Sequence, residues 1–358
     1  MIDDVDDWIS NMSEALENFD SLDNEHHKAE SAHVSPDHAS KNQVETVFLR
    51  RFCEVIESCD SLVPDLEIKG YCVLDDAFQP EFLRHIVDEI DMLRDCCTME
   101  ASPNMLKGRD GEDLVLIKEG VLEKSIVVQD ELIMGEGALS FIPNLRRLCE
   151  CRSQMVSVLQ SKGGILSNVT ALDQAKVTYI SKNGAFPVHV DAHPVYDRML
   201  TITLYLNEGY QDEDAGELRL FPLPYQPFDV KPKFGRIVLF SSIHMYHRVM
   251  PSQGEGRYTL ALWFTGTDNS FPKCCFDPTD PRSEGFEQHV FANRDSLPFL
   301  VYYEECKRSI LESFDGNDQD KLESALAAFE KKVEDYKRRL GDSLLKQLEE
   351  FPLLHKLG

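Results

Sequence analysis

The sequence predicts a mainly β protein with flanking helices. Between about residues 171 and 266, short segments rich in β-branched and aromatic residues alternate with Gly, Pro, Asp and Asn. Several antiparallel strands joined by tight turns are typical of a sandwich or a barrel. The composition agrees with a folded chain, because 42% of the 358 residues are hydrophobic and can supply a substantial core.

Residues 1–43 differ in composition from the rest of the chain. They carry repeated acids and a stretch rich in His and Ser (HHKAESAHVSPDHASKNQ), with few residues able to join a core. We therefore expect an acidic, disordered tail over residues 1–43. A folded domain should follow over residues 44–270, and an irregular segment with C-terminal helices over residues 271–358.

Helices are expected on both sides of the strand region. Apolar residues at helical spacing begin a helix near Val44, and residues 68–76 (IKGYCVLDD) predict a strand that leads into a second amphipathic helix after Pro80. Residues 98–138 mix turn signals with short apolar pieces, which indicates a hairpin or a mobile flap. Near the C-terminus, apolar residues alternate spacings of four and three and predict an amphipathic helix: Leu322, Leu326, Phe329, Val333, Tyr336 and Leu340. Its length favours packing on the outside of the β core over dimerisation, so we expect a monomer or a weak dimer.

The charge and the cysteines restrict the partners and the compartment. A formal net charge of -26 repels phosphate backbones, so a nucleic-acid partner is not expected. No apolar stretch is long enough to span a membrane, and the N-terminus is acidic where a signal peptide would be basic and then apolar. The ten cysteines are scattered, which favours free thiols. We therefore predict a cytoplasmic or nuclear protein with no membrane partner.

Three residues form a candidate metal site. His189 and Asp191 lie two apart in residues 187–191 (PVHVD), so on a strand both side chains project from one face. His247 follows another predicted strand, residues 235–242 (GRIVLFSS). Two imidazoles and one carboxylate form the facial triad of non-haem Fe(II) oxygenases, although zinc accepts the same ligands.

One arginine marks the last predicted strand, residues 257–264 (RYTLALWF). Strand alternation places four of its residues on one face: Arg257, Thr259, Ala261 and Trp263. Small and polar groups around one cation suit a pocket for a dicarboxylate better than a packed core, which favours iron over zinc. Residues 200–206 alternate in the same way, so Tyr205 projects toward the pocket.

These residues belong to a set of motifs that resembles the prolyl 4-hydroxylase type of 2-oxoglutarate dioxygenase, above all the hypoxia-factor prolyl hydroxylases. The resemblance covers about residues 65–266. It consists of Gly70–Asp76, Tyr179 ten residues before His189, His189-Val-Asp191, Tyr205-Leu-Asn207, Gly216–Pro222, Lys231–Phe240, His247–Pro251 and Arg257-Tyr258. Its spacing favours His247 over His244 and His189 over His193 as metal ligands.

The resemblance implies a double-stranded β-helix, that is, a jelly-roll or cupin-like core. It implies Fe(II) on His189, Asp191 and His247, and 2-oxoglutarate held by its distal carboxylate on Arg257 and Tyr205. Tyr179 would assist, and two further residues would line the pocket: Leu218 and Trp263. L-ascorbate commonly keeps the iron of such enzymes reduced.

Two classes of function remain open at this stage. The first is an Fe(II)- and 2-oxoglutarate-dependent dioxygenase that hydroxylates a protein or peptide side chain, most plausibly prolyl, with a small-molecule substrate as an alternative. The second is a non-catalytic binding or dimerisation module on the same barrel. The intact triad together with Arg257 favours the enzyme. Residues 98–138, which show no clear likeness to the family, are interpreted as a substrate-selecting flap.

Overall fold

The computed structural model describes residues 49–127, 142–192, 197–267 without 224 and 255, then 271–272, 293 and 296–350 without 315. The predicted tail and most of the irregular segment after residue 272 lie outside this part of the chain. Among the described residues, no helix is both long and apolar enough to cross a membrane. Eight cysteines in the same part of the chain are free thiols, as predicted for them.

Eleven strands in the described residues form two antiparallel sheets. Their bounds are β1 (Tyr71–Leu74), β2 (Glu100–Lys107), β3 (Asp113–Val127), β4 (Val169–Ile180), β5 (Phe186–His189), β6 (Arg198–Tyr205), β7 (Leu218–Phe221), β8 (Phe228–Val230), β9 (Ile237–Ser241), β10 (Tyr246–Val249) and β11 (Arg257–Gly266). The larger sheet has the order β1-β9-β6-β11-β4-β3-β2, and the smaller has the order β5-β10-β7-β8. The predicted mainly β architecture is therefore confirmed.

Each face of the larger sheet is covered by a different layer. Its outer face packs against five helices: α1 (residues 49–58), α2 (Leu62–Lys69), α3 (Pro80–Asp95), α4 (Pro143–Glu150) and α5 (Arg152–Ser161). Leu204 of β6 and Leu260 of β11 belong to this layer. The inner face meets the smaller sheet, where Ile180 and Tyr205 pack with Phe186 and Leu218. The strand alternation predicted for β6 and β11 is thus confirmed.

Residues 100–127 form a hairpin rather than a separate flap. β2 pairs with β3, and β3 pairs with β4 from Val121 opposite Ile180 to Val127 opposite Gln174. The hairpin therefore extends the larger sheet by two strands, because β3 satisfies the ladder hydrogen bonds that β4 would otherwise leave open. Of the two predicted alternatives, the hairpin is therefore confirmed for residues 100–127, and its role in selecting the substrate stays a prediction. Residues 128–138 lie outside the described part of the chain.

The C-terminal helices cover the outer face of the smaller sheet. They are α6 (Leu297–Val301), α7 (Tyr303–Ser313) and α8 (Gln319–Glu350), and α8 is interrupted at Gly341 by a non-helical backbone. Leu322, Phe329 and Val333 of the predicted apolar stripe pack with Phe221 and Tyr246 of the smaller sheet. Packing on the outside of the β core is therefore confirmed for these residues of α8.

A buried carboxylate ties α3 to the start of α4. The first backbone N–H groups of a helix have no partner within the helix. Here the Glu89 carboxylate accepts hydrogen bonds from Asn144 N (2.6 Å), Asn144 Nδ2 (2.7 Å) and Leu145 N (2.8 Å). Burial raises the pKa of Glu89, and these three hydrogen bonds oppose that rise. The contact joins two elements that are distant in sequence.

We predict that Glu89→Ala destabilises the protein by about 2 kcal/mol, because it leaves the amides at the start of α4 buried without an acceptor. Glu89→Gln should cost about half as much, since it keeps one acceptor oxygen. Urea denaturation followed by circular dichroism measures both changes. Glu81→Ala, in the exposed first turn of the same helix, is the control. A Glu89→Ala protein as stable as this control would contradict the assigned role.

Candidate metal centre

The two histidines of the predicted triad face each other across a strand pair. β10 pairs antiparallel with β5, and His247 lies opposite His189 in the register. Directly opposed residues of such a pair have Cβ atoms about 5 Å apart, on the same face of the sheet. The ring centroids of His189 and His247 are accordingly 4.3 Å apart. Pairing of short strands thus brings together two residues that are far apart in the sequence.

Asp191 completes a cluster of three metal-binding side chains. It follows β5, two residues after His189, and its Oδ1 lies 3.8 Å from His189 Nε2 while its Oδ2 lies 3.8 Å from His247 Nε2. The three ligand atoms all lie within 4.8 Å of one another, which is close enough to hold one ion. β5 ends at His189, so Asp191 lies just beyond the strand on which the alternation was predicted.

Backbone carbonyls orient both imidazoles for metal binding. His189 Nδ1 lies 2.8 Å from the Pro187 carbonyl oxygen, and His247 Nδ1 lies 3.0 Å from the Met245 carbonyl oxygen. A carbonyl can only accept a hydrogen bond, so each Nδ1 must carry the proton. The lone pair of each neutral ring is therefore on Nε2, the atom that faces Asp191.

The surroundings favour the metal-binding protonation state of these ligands. Burial and the neighbouring His247 lower the pKa of His189 to about 3, although the Asp191 carboxylate opposes the change. Burial alone would raise the pKa of Asp191, but the two imidazoles and the Thr201 hydroxyl lower it on balance. A neutral imidazole and an ionised carboxylate are the forms that bind a metal ion.

Two polar residues near Asp191, Thr201 and Ser242, are not among the predicted site residues. Thr201 Oγ1 donates a hydrogen bond to Asp191 Oδ2 (2.8 Å) and lies 2.8 Å from Ser242 Oγ. Trp263 lies opposite Thr201 in the β6–β11 register, and its proximity contributes to the lowered pKa of Asp191. The alternation of β6 could have indicated Thr201, since it shares a face with Tyr205. Ser242 follows β9, and no local pattern identifies it.

Arg257 extends into the same cavity as the triad. Its side chain is 4% exposed, and its Nε donates a hydrogen bond to the Gly216 carbonyl oxygen (2.7 Å). Within the part of the chain that the structure describes, no carboxylate lies within ion-pair distance of this guanidinium. Burial lowers the pKa of Arg257, although the group stays protonated at any ordinary pH. A buried cation without an anion is costly, so the cavity suits an anionic ligand.

Tyr205 lies beside the arginine. Its ring centroid is 5.3 Å from Arg257 Cζ, its hydroxyl is buried, and that hydroxyl forms no hydrogen bond of regular geometry. Burial raises the pKa of Tyr205 to about 12, so the phenol remains a hydrogen-bond donor at neutral pH. A phenol and a guanidinium side by side can both donate to one carboxylate.

Gly216 allows the arginine to approach the backbone. Its φ is +75°, and a Cβ at this position would lie 3.0 Å from Arg257 Cδ. Any other residue would therefore be strained and would press on the arginine side chain. This explains physically why glycine begins residues 216–221 (GELRLF).

The remaining predicted site residues have different placements. Leu218 and Trp263 line the cavity that contains the triad and Arg257. Tyr179 does not reach it, because its ring lies on the other face of β4, where it contacts Tyr258 and the guanidinium of Arg94. Its neighbours Thr178 and Ile180 face the cavity instead. The prediction that Tyr179 assists 2-oxoglutarate therefore needs correction, since alternation turns it away.

The two alternative histidine ligands are not in the cluster of described residues. His244 lies in the turn before β10, and His193 lies outside the part of the chain that the structure describes. The spacing-based choice of His189 and His247 thus agrees with the geometry of the described residues.

Part of the chain is similar to a known family. Residues 175–265 match the sequence model of the 2OG-Fe(II) oxygenase superfamily. This confirms the resemblance derived from the motifs. Two imidazoles and one carboxylate suit Fe(II), and the buried Arg257–Tyr205 pair suits the distal carboxylate of 2-oxoglutarate, so the residues present fit both groups.

The chain is also similar to individual proteins of known name. Egl nine homolog 1 of Mus musculus is 28% identical over 213 residues, which cover 58% of this chain and 49% of that protein. The Homo sapiens protein of the same name is 27% identical, over 58% and 46% respectively. The chain therefore aligns with about half the length of these relatives. A prolyl 4-hydroxylase structure from Phytophthora capsici has a TM-score of 0.62 at 23% identity and covers 90% of this chain and 98% of its own, which supports the predicted jelly-roll fold.

We predict that Asp191→Ala abolishes binding of one Fe(II) per chain, because it removes one of three ligands. Thr201→Val should weaken Fe(II) about tenfold, since it removes the hydrogen bond that orients the carboxylate. Anaerobic titration measures both affinities. Thr203→Val is the control, because Thr203 lines the same cavity but does not bond Asp191. Equal effects of the two valine substitutions would show that the Thr201 hydrogen bond is unimportant.

Proposed function

We propose that this chain is an Fe(II)- and 2-oxoglutarate-dependent dioxygenase. It would use O₂ to hydroxylate a side chain of a protein or peptide, with release of succinate and CO₂, and a prolyl side chain is the first candidate. The likeness of the fold to a prolyl 4-hydroxylase and the sequence similarity to Egl nine homolog 1 support this assignment.

The observation that carries the proposal is the position of Arg257. The buried, carboxylate-free guanidinium lines the same cavity as His189, Asp191 and His247. A structural metal site would not require a buried cation beside it. A ligand that chelates the metal at one end and presents a carboxylate at the other end satisfies both features.

The residues of the cavity would have different roles in the reaction. His189, Asp191 and His247 would hold Fe(II), which supplies the activation of O₂ when it is bound. Arg257 and Tyr205 would bind and orient the distal carboxylate of 2-oxoglutarate. Phe186, Leu218 and Trp263 line the cavity with apolar surface, which limits the access of water.

Two further features belong to the same proposal. L-ascorbate would act as the reductant that keeps the iron as Fe(II), as is common for enzymes that the motifs resemble. The protein would act in the cytosol or the nucleus, which agrees with the free thiols of the described cysteines.

We predict that Arg257→Ala raises the apparent dissociation constant of 2-oxoglutarate by tens-fold, about 2 kcal/mol, and leaves Fe(II) binding unchanged. Arg257→Lys should recover only part of the affinity, because an ammonium keeps the charge but loses the fork. Titration of 2-oxoglutarate into the anaerobic iron-loaded protein, followed by the visible charge-transfer band of the chelate, measures the constant.

Arg50→Ala is a suitable control, since this exposed arginine pairs with Glu54 on α1. If Arg257→Ala binds 2-oxoglutarate as tightly as the wild type does, the dicarboxylate pocket is elsewhere. A non-catalytic binding module would then account better for the site.

A further inference from the structure

A wide groove leads from the surface to the candidate metal centre. One wall is the tip of the β2–β3 hairpin, including Met105, Lys107 and Arg109, and the opposite wall is α8 from Ala325 to Arg339. The floor consists of residues 187–190 together with Tyr246 and Ile310. We call this feature the hairpin–helix groove.

The groove is continuous with the site. His189 lines both the hairpin–helix groove and the cavity that contains Asp191, His247 and Arg257. A molecule in the groove would therefore contact one of the predicted metal ligands. On this geometry, the groove is the place where a substrate approaches the iron.

The charge of the groove is opposite to that of the whole chain. Six basic side chains and one acidic side chain line the groove. The acidic one is Asp335, and the basic ones are Lys107, Arg109, Lys331, Lys332, Arg338 and Arg339. The complete chain has a formal net charge of -26. A local excess of positive charge on an acidic protein attracts acidic ligands specifically to this surface.

Several of these cations are held in place without being neutralised. Lys332 Nζ lies 4.2 Å from the centroid of the Phe299 ring, and Arg339 Cζ lies 4.6 Å from that of Tyr336. Among the described residues, Lys331 makes no ion pair. Of the six cations, Lys107 with Asp113 and Arg338 with Asp335 are the ones that have acidic partners in the described part of the chain. The basic wall of α8 thus retains charge for a ligand.

The size and the apolar floor indicate a polymeric ligand. The groove has a volume of about 1220 Å³. Pockets for small molecules usually have roughly 300–1,000 Å³ and are more enclosed. Val188, Val190 and Phe329 give the groove an apolar lining, and Met105 is 66% exposed on its hairpin wall. A chain with apolar residues between charged ones would match this surface.

We propose that the hairpin–helix groove binds an acidic polypeptide segment, and that the acidic residues of the substrate contact the basic residues of α8 while the target side chain reaches the metal beside His189. This inference rests on the proposed oxygenase function and specifies its substrate class. It assigns α8 and the hairpin tip as determinants of specificity.

A polypeptide fits the groove better than a nucleic acid does. A nucleic acid would present phosphates along its whole length, so some of its charges would have to lie over the apolar floor of the groove. The apolar floor offers no row of cations to follow such a backbone. An acidic peptide can alternate charged and apolar side chains to match the walls and the floor.

Fluorescence anisotropy of labelled peptides tests the proposal. Three peptides of equal length share a central Val-Pro-Val and differ only in their flanks, which are Glu-rich, Ser-rich or Lys-rich. They are titrated into the anaerobic full-length protein loaded with Fe(II) and 2-oxoglutarate. We expect the Glu-rich peptide to bind about tenfold more tightly than the Ser-rich peptide, and this preference to shrink between about 50 and 300 mM salt.

A pair of charge-reversal variants localises the effect. Lys331→Glu with Arg338→Glu changes the groove, whereas Lys321→Glu with Lys337→Glu makes the same net change on the same helix outside it. The groove variant should lose about tenfold in affinity for the Glu-rich peptide, since several weak exposed pairs are reversed together. The control variant should lose about twofold or less. Equal losses in both variants, or equal binding of all three peptides, overturn the proposal.

Two other occupants are separate outcomes of the test. One outcome is that an oligonucleotide displaces the Glu-rich peptide as effectively as a peptide of equal charge does. The groove would then be a general polyanion site, and the proposal would be overturned. The other outcome uses a full-length variant in which Asp3, Asp4, Asp6 and Asp7 are changed to Asn. If this variant binds the Glu-rich peptide about tenfold more tightly, the occupant is the acidic N-terminus of this chain rather than a substrate, and the proposal is overturned.

Failure of the groove can be distinguished from failure of the oxygenase function. Peptide binding requires no turnover, and decarboxylation of 2-oxoglutarate without substrate reports the metal centre alone. Wild-type protein that decarboxylates 2-oxoglutarate but shows no preference for the Glu-rich peptide would refute only the groove assignment.

Discussion

The site depends on the antiparallel pairing of β5 with β10, which places His189 opposite His247. A shift of one residue would turn one imidazole to the other face of the smaller sheet, because side chains alternate along a strand. Arg248, the neighbour of His247, points the other way and is fully buried, with Nη2 2.5 Å from Glu312 on α7. The C-terminal helices thus hold β10 in the register that builds the metal centre.

A second constraint is the burial of a cation. Arg257 occupies a cavity between the two sheets, where its Nε bonds a backbone carbonyl and the rest of its guanidinium has no carboxylate among the described residues. The packing of β11 between β4 and β6 supports this placement on both sides. The fold therefore carries a buried charge whose cost a bound anionic ligand would offset. Binding of such a ligand should raise the stability of the folded protein.

The same layers that build the site also create its approach. The hairpin extends the larger sheet, α8 covers the smaller sheet, and the space between them is the hairpin–helix groove. The two walls and the metal ligand His189 line the same groove. The basic residues on this surface contrast with the acidity of the chain, so local placement rather than net charge governs the expected specificity.

The amino-acid sequence by itself determined the strand-rich core, the inward faces of β6 and β11, the three candidate ligands and Arg257, because these follow from alternation and short motifs. Tyr179 was predicted as a site residue from its spacing to His189. Alternation along β4 instead places its ring on the face that points away from the cavity. Only the tertiary structure decided the β5–β10 register, the support of Asp191 by Thr201 and Ser242, the incorporation of the hairpin into the larger sheet and the basic groove along α8. Each of these depends on contacts between residues far apart in the chain, which no local pattern records.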